Sequence, residues 1–215
     1  MKQTIALCLM LVGGPLIAHP HIFVNTGLTF LVDDRNRLTH VQVTWEYDEL
    51  YSLLVTEDMG VDSDYDGVLT PEDTALLTGF DMQWVEGFNG DLVGALNGTA
   101  LDLSQPSAAT ATLREGKIIT THLRAVEETP SITGPLNFLP YDGTYYTAYE
   151  VDLPVSVQGG KGCEVLISAP DIAGALAVTK AELGALPLDF DMEATGLSDI
   201  GRRFATDVQI TCAAL

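Results

Sequence analysis

Apolar and polar residues alternate along several stretches of this chain, which is the pattern of half-buried β-strands. In residues 38–47, Val41, Val43 and Trp45 share one face, and polar side chains occupy the other. Residues 21–32 show a similar strand pattern, and a short polar turn joins the two stretches, which predicts a β-hairpin. Further strands and hairpins are predicted at 92–103, 110–126, 136–140, 144–152, 163–168 and 207–212.

The spacing of apolar residues changes to a helical period after this hairpin. Leu50, Leu53 and Leu54 recur at helical spacing, so a short amphipathic helix is predicted over residues 48–58, with Asp48 as its N-cap. Further helices are predicted at 71–80, where a proline suits the first turn, and at 170–186.

These elements predict one β-rich domain over residues 19–215. The expected architecture is mainly β, with sandwich-like antiparallel sheets, a helix–loop–helix inserted at about 48–82, and a C-terminal helical segment, which makes it α+β overall. A chain of 215 residues is long enough to bury a substantial core.

Residues 1–18 have the pattern of a secretory signal peptide. Lys2 supplies a positive start, an apolar run follows over residues 5–12, and Ala18 is a small residue suited to cleavage. Leu16 is bulky for its position, which leaves the cleavage site open to a shift, and a retained anchor is the alternative. Because no later stretch is apolar enough to cross a membrane, we expect a periplasmic protein that is not membrane-embedded after cleavage.

The formal net charge of −20 at pH 7 disfavours nucleic acid and anionic membranes as partners, and favours cations or basic proteins. The sequence contains no G-x-S-x-G, H-E-x-x-H or phosphate-loop motif. We therefore expect no enzymatic activity. Glu46 and Asp48 are the remaining catalytic candidates, and a strand that runs into a capped helix explains them equally well.

The cysteines also agree with export. Once Cys8 leaves with the signal peptide, Cys163 and Cys212 remain as a pair, each in a strand-like run. In an oxidising compartment we expect a disulfide, which on the chain-entropy model stabilises the fold by about 4 kcal/mol. A metal-binding thiolate pair is the alternative, although it needs further Cys or His that this region lacks.

The stretch "VDSDYDGVLTPED", residues 61–73, matches a twelve-residue calcium-binding loop position by position. Gly67 occupies the sixth position, where the chain turns sharply. The predicted ligands are Asp62, Asp64, Asp66, the backbone carbonyl of Val68, Thr70 and Asp73. With a helix predicted on each side, the loop resembles an EF-hand loop that binds calcium.

The closing position of this loop departs from the usual pattern. Asp73 stands where a Glu usually reaches the ion with both oxygens, and the shorter side chain lowers the expected affinity and the selectivity for calcium over magnesium. The loop is also single, whereas calcium sensors usually pair two. We therefore expect a structural calcium that orders the insertion, bound at about 10⁻⁴ to 10⁻³ M as in extracellular modules.

The four histidines suggest a second kind of metal site. His19 and His21 lie at the predicted mature N-terminus, where the free amine and imidazole of His19, with His21, would chelate nickel, copper or zinc. His40 and His122 fall on polar faces of their strands, and they would add ligands if those faces meet. The alternative is that these are ordinary histidines without a metal.

Several stretches, taken in order, resemble one family of exported bacterial proteins, the domain-of-unknown-function family 1007. The matching stretches are "AHPHIFV", "LTHVQVTWEYDELYS", "DSDYDGVLTPED", "YDGTYYTAYEV", "GCEVLIS" and "DIGRRFATDVQITC". Members of the family are described as periplasmic components of an uncharacterised ABC-type transport system, often encoded beside nickel/cobalt permeases. The resemblance implies a metal-transport accessory role, with a membrane permease or another envelope protein as the partner.

The functional hypothesis is a periplasmic metal-handling accessory protein of a transition-metal (nickel/cobalt, copper or zinc) transport system, with a structural calcium loop. The alternative is a calcium-stabilised periplasmic interaction module without a transition-metal site. The two hypotheses differ over His19 and His21, because only the first requires these side chains to bind a metal.

Overall fold

The computed structural model describes residues 20–185 and 197–214. Within these ranges the chain forms eleven β-strands and three α-helices, together with 3₁₀ turns at Leu197–Phe204. The strands are β1 (Ile22–Val32), β2 (Leu38–Tyr47), β3 (Leu92–Leu96), β4 (Thr99–Leu101), β5 (Ser107–Arg114), β6 (Lys117–Ala125), β7 (Leu136–Pro140), β8 (Thr147–Glu150), β9 (Val155–Gly159), β10 (Glu164–Ser168) and β11 (Asp207–Thr211). The helices are α1 (Glu49–Met59), α2 (Pro71–Leu77) and α3 (Ile172–Gly184).

The strands are arranged in two sheets. The first has the order β5–β6–β2–β1–β8, and β9 also pairs with β1; the second has the order β10–β11–β7–β3–β4. Neighbouring strands are antiparallel, except that β8 and β9 run parallel to β1. The predicted mainly β, α+β architecture is therefore confirmed. Parallel pairing needs a long connection, and the chain between β1 and β8 is long because it contributes strands to the second sheet before it returns to the first.

The inner faces of the two sheets share one hydrophobic core. Phe30 of β1 and Phe138 of β7 meet across it, with their ring centroids 5.0 Å apart. The alternation predicted for β2 is confirmed, since Val41, Val43 and Trp45 are all buried on the inner face. The inner faces of the central strands β1 and β2 are therefore out of contact with solvent.

The predicted starts of α1 and α2 are confirmed, whereas α2 and α3 are shorter than the predicted ranges 71–80 and 170–186. The Tyr51 backbone N–H donates to the Asp48 carboxylate over 2.9 Å, which caps α1. Pro71 is the first residue of α2, and α3 accounts for the C-terminal helical segment. Among the described residues, no helix is long and apolar enough to cross a membrane.

The orientation of α1 is the reverse of the one its leucines predict. Ser52 and Thr56 are the buried residues of this helix, and its leucines point to solvent. The Ser52 hydroxyl is satisfied in the interior, because it accepts from the Ile118 N–H over 2.9 Å and donates to the Tyr47 carbonyl over 3.4 Å. These hydrogen bonds hold α1 against the start of β6, and Tyr51, Val55 and Met59 on the same helix pack against the core beside them.

Candidate functional site

The acidic loop, residues 61–70, connects α1 to α2 and is anchored at both ends. Helix α1 is followed by its C-cap, Gly60, whose φ of 67° is in the left-handed region. Val61 is buried directly after it, and Leu69 packs against the same core from the other end of the loop. The acidic residues between these anchors are held in a tight turn, in which the Gly67 N–H donates to Asp62 over 3.0 Å.

Three of the predicted calcium ligands converge in this loop. One carboxylate oxygen from each of Asp62, Asp64 and Asp66 lies within 4.8 Å of the other two. Asp62 is half-buried and the other two are exposed. Carboxylates this close repel each other, and oxygen ligands at this spacing suit a hard dication such as calcium.

The remaining predicted ligands are placed differently. The Asp73 carboxylate accepts from the Thr70 N–H over 3.0 Å and from the Thr70 hydroxyl over 2.8 Å, so both side chains form a capping box at the start of α2. Val68, predicted to bind through its carbonyl, has an exposed side chain. The structure therefore gathers three of the six predicted ligands, and uses two others to begin a helix.

The predicted transition-metal ligands do not come together among the described residues. His19 lies outside those residues. His21 is exposed, its backbone N–H donates to the Tyr146 carbonyl over 2.8 Å, and its ring lies 4.9 Å from the Tyr146 ring. The strand-borne pair, His40 and His122, is separated by the first sheet itself.

The predicted position of His122 is wrong: its side chain does not lie on a face that could meet His40. In the β2–β6 register His122 lies opposite Val43, on the inner face, whereas His40 lies opposite Ala125, on the outer face. The polar face of β6, which consists of Thr120, His122 and Arg124, is therefore the buried one. The sequence correctly predicts that these three side chains share one face of β6. It does not predict that this face is buried, because the pairing of β6 with β2 decides which face points into the core.

The predicted disulfide between Cys163 and Cys212 is confirmed. It ties the start of β10 to the end of β11, at one edge of the second sheet. The Asn36 side chain supports the same corner, since its amide donates to the carbonyls of Lys161 and Ala213 over 3.1 and 2.9 Å. The bridge thus joins segments already held by hydrogen bonds from the β1–β2 turn.

A buried polar cluster lies between the first sheet and the segment 81–91 that crosses it. Asp81 begins this segment, and its Oδ2 accepts from the Tyr47 hydroxyl over 2.8 Å and from the Thr120 hydroxyl over 2.7 Å. Its other oxygen, Oδ1, is buried without a hydrogen-bond partner among the described residues. Burial raises the pKa of the Asp81 carboxyl above its ordinary value.

His122 occupies the centre of this buried polar cluster and is only 1% exposed. Its ring lies edge-on to Trp45, at 4.7 Å, and to Trp84, at 5.6 Å. Neither ring nitrogen has a hydrogen-bond partner among the residues that the structure describes. Burial, and secondly the charge of Arg124, lower the pKa of His122 to about 3, so the ring is neutral at physiological pH.

Arg124 closes the cluster on one side. Its guanidinium donates to the carbonyls of Ser104, Asn89 and Leu103, and it lies 4.7 Å above the Trp84 ring. These acceptors belong to two separate segments, so one side chain fastens both of them to β6. The charge of Arg124 is therefore stabilised by backbone carbonyl groups and by the face of the Trp84 ring, and not by a carboxylate.

A second buried carboxylate lies at the far end of the same segment. Asp91 accepts from the Tyr149 hydroxyl over 2.8 Å, and the Tyr149 ring lies 5.8 Å from that of Trp45. Burial raises the pKa of Asp91 to about 7. Neither Asp81 nor Asp91 is predicted from the sequence, because both lie in an irregular segment and acquire partners only through tertiary contacts.

The fold and this loop define a β-rich, disulfide-bonded protein that carries three converging carboxylates in a helix–loop–helix. The chain belongs to the family described as protein of unknown function (DUF1007), whose sequence profile matches residues 4–212. The resemblance found in the sequence is thereby confirmed over nearly the whole chain. No functionally curated protein matches it.

Proposed function

We propose that the protein is a periplasmic metal-handling accessory protein of a transition-metal transport system, and that its acidic loop holds a structural calcium ion. The observation that carries the calcium part is the convergence of Asp62, Asp64 and Asp66 to within 4.8 Å. A hard dication relieves the repulsion between these carboxylates and supplies the charge that the loop lacks. The Cys163–Cys212 disulfide supports export to an oxidising compartment. The proposed role is non-catalytic.

The transition-metal part of the proposal relies on His19 and His21 alone. His40 and His122 lie on opposite faces of one sheet, so they cannot complete a site with each other. His21 is exposed and lies immediately before β1. A nickel, copper or zinc ion held there would be accessible for transfer to a permease.

The second candidate function, a calcium-stabilised interaction module, is favoured by a different observation. Helix α1 presents three leucines to solvent, and large exposed apolar groups on an otherwise polar surface mark sites of protein contact. In this reading the calcium loop orders the helix–loop–helix for docking, and the histidines carry no metal.

Calcium titration of the exported protein, followed by chemical unfolding, tests the calcium site. Calcium at about one hundred times its dissociation constant should raise the free energy of unfolding by about 2.7 kcal/mol. Asp64→Asn should lose most of this gain, because it removes one of the three converging charges. Asp34→Asn, an exposed acid in the β1–β2 turn, is the matched control and should keep the whole gain. Equal gains in all three proteins would refute the site.

The same preparations, titrated with nickel, copper and zinc, test the transition-metal part. One tight equivalent should bind to protein that begins at His19, and a methionine added before His19 should abolish this binding because it removes the chelating amine. His40→Ala should leave binding unchanged. Binding in the micromolar range or weaker, or binding that survives the added methionine, would favour the interaction module.

A further inference from the structure

The reversed orientation of α1 leaves an apolar surface uncovered. Leu50, Leu53 and Leu54 are 66%, 47% and 58% exposed, and Leu76 of α2 is 58% exposed beside them. We call these four side chains the leucine face. A helix normally buries its apolar side and exposes its polar side. The buried side of α1 is mixed, because Ser52 and Thr56 lie there beside apolar residues that pack against the core, and its three leucines remain exposed.

An open groove adjoins the leucine face and runs between α1 and the end of α2. Its apolar lining comes from both helices and from the turn after α2: Tyr51, Leu54, Val55, Met59, Leu76 and Phe80. Several of these side chains also pack against the main core, so the floor of the groove is fixed by the fold. A preformed apolar groove of this kind receives the apolar side of a helix.

The helix–loop–helix that forms the groove is strongly acidic, and the basic Lys117 lies outside it, in a separate surface pocket shared with Leu50. Residues 48–86, which comprise both helices and the acidic loop, contain eleven Asp or Glu and no Lys, Arg or His. Asp58 lines the groove itself, and the Tyr65 hydroxyl donates to the Glu57 carboxylate, which ties the acidic loop to α1. Such a rim repels acidic partners and anionic membranes and attracts a cationic one.

We propose that the leucine face and its groove dock an amphipathic helical segment of an envelope partner protein, with apolar side chains on one side and Lys or Arg on the other. Apolar contacts would supply the affinity, while the acidic rim selects the basic flanks and accelerates association. The proposal deepens the proposed function by naming the chemistry of the partner, and it rests on that function only for the partner's location in the envelope.

A synthetic peptide tests this proposal directly. The probe is an 18-residue helical peptide with Leu at helical spacing and Lys at its polar positions; the matched control carries Glu in place of Lys. Fluorescence anisotropy should show saturable binding of the Lys peptide and at least tenfold weaker binding of the Glu peptide. Leu53→Ser with Leu54→Ser should weaken Lys-peptide binding at least tenfold.

Leu166→Ser is the control variant, because Leu166 is 60% exposed on β10, away from the groove, and should leave binding unchanged. If the Lys peptide bound the leucine double variant as tightly as the wild type, binding would come from non-specific charge attraction, and that result would overturn the proposal. So would the absence of binding, self-association through the leucine face in sedimentation, or preferential binding to neutral phosphatidylcholine vesicles. Calcium titration of the same variants separates this failure from failure of the metal site, since the loop carboxylates are untouched.

Discussion

The acidic loop and the buried polar cluster both contain carboxylates that form no ion pair with any described residue, but a short local segment assembles the first group and tertiary contacts assemble the second. In the loop, Asp62, Asp64 and Asp66 come from five consecutive residues, and water reaches them. In the cluster, Asp81 receives its partners from two strands that are distant in the sequence, and its second oxygen is shut off from water. The first arrangement is a local ligand set, and the second is part of the scaffold.

This difference sets the energetic consequences of changing each region. Solvated carboxylates contribute little to folding, and their mutual repulsion even opposes it until a cation binds. Buried polar groups carry a desolvation cost that only their hydrogen-bond partners offset, so removing one partner leaves another group unsatisfied. Variants in the cluster should therefore affect stability without metal, and variants in the loop should affect it only with metal.

The largest effect is expected from Arg124→Met. The substitution leaves the carbonyls of Ser104, Asn89 and Leu103 without their donor in a buried site and removes the cation above Trp84. We expect the free energy of unfolding in urea to fall by about 3 kcal/mol or more. Arg114→Met is the control; it removes an exposed side chain whose partner Glu46 keeps its ion pair with Lys117, and it should cost less than about 1 kcal/mol. Similar losses for both variants would contradict the anchoring role of Arg124.

An intermediate effect is expected from Asp81→Asn. The amide keeps one acceptor for the hydroxyls of Tyr47 and Thr120, but it places an NH₂ group where a carboxylate oxygen was buried. We expect a loss of about 2 kcal/mol in the presence of a chelator. Asp64→Asn under the same conditions should change stability by less than about 0.5 kcal/mol. If Asp64→Asn lowered the free energy of unfolding more than Asp81→Asn did, the loop and not the cluster would be part of the scaffold, contrary to this comparison.

The smallest effect at neutral pH is expected from His122→Phe, which replaces a ring without hydrogen bonds by an apolar ring. Near pH 7 the variant and the wild type should differ by less than about 1 kcal/mol. As the pH falls below about 6.5, the unfolded chain protonates His122 first, because burial lowers its folded-state pKa to about 3, and the wild type loses stability.

His122→Phe has no imidazole to protonate, so it does not lose stability in this way as the pH falls. The difference in unfolding free energy between His122→Phe and the wild type should therefore grow in favour of the variant by about 1 kcal/mol per pH unit, roughly between pH 6 and 4. The raised pKa values of Asp81 and Asp91 act in the opposite direction, but they are common to both proteins and cancel in the difference. Parallel pH profiles would show that the His122 ring reaches solvent in the native state.

The sequence predicted local features well. These features are the hairpin of β1 and β2, the N-cap of α1, the spacing of the loop carboxylates and the disulfide pair. Each depends on residues a few positions apart or on a single pairing. It predicted orientation poorly. Both Ser52 and His122 lie on faces that contradict simple hydrophobic patterning, because hydrogen bonds and ring contacts from other segments offset the cost of burying them.

The sequence by itself determined that this chain is acidic, rich in β-strands, paired through Cys163 and Cys212, and equipped with a loop of three regularly spaced aspartates. Only the tertiary structure decided that His122 lies inside the core and that α1 turns its leucines outward. The physical reason is that spacing fixes which side chains share a face, whereas the pairing of strands and the partners available in the interior fix which face is buried.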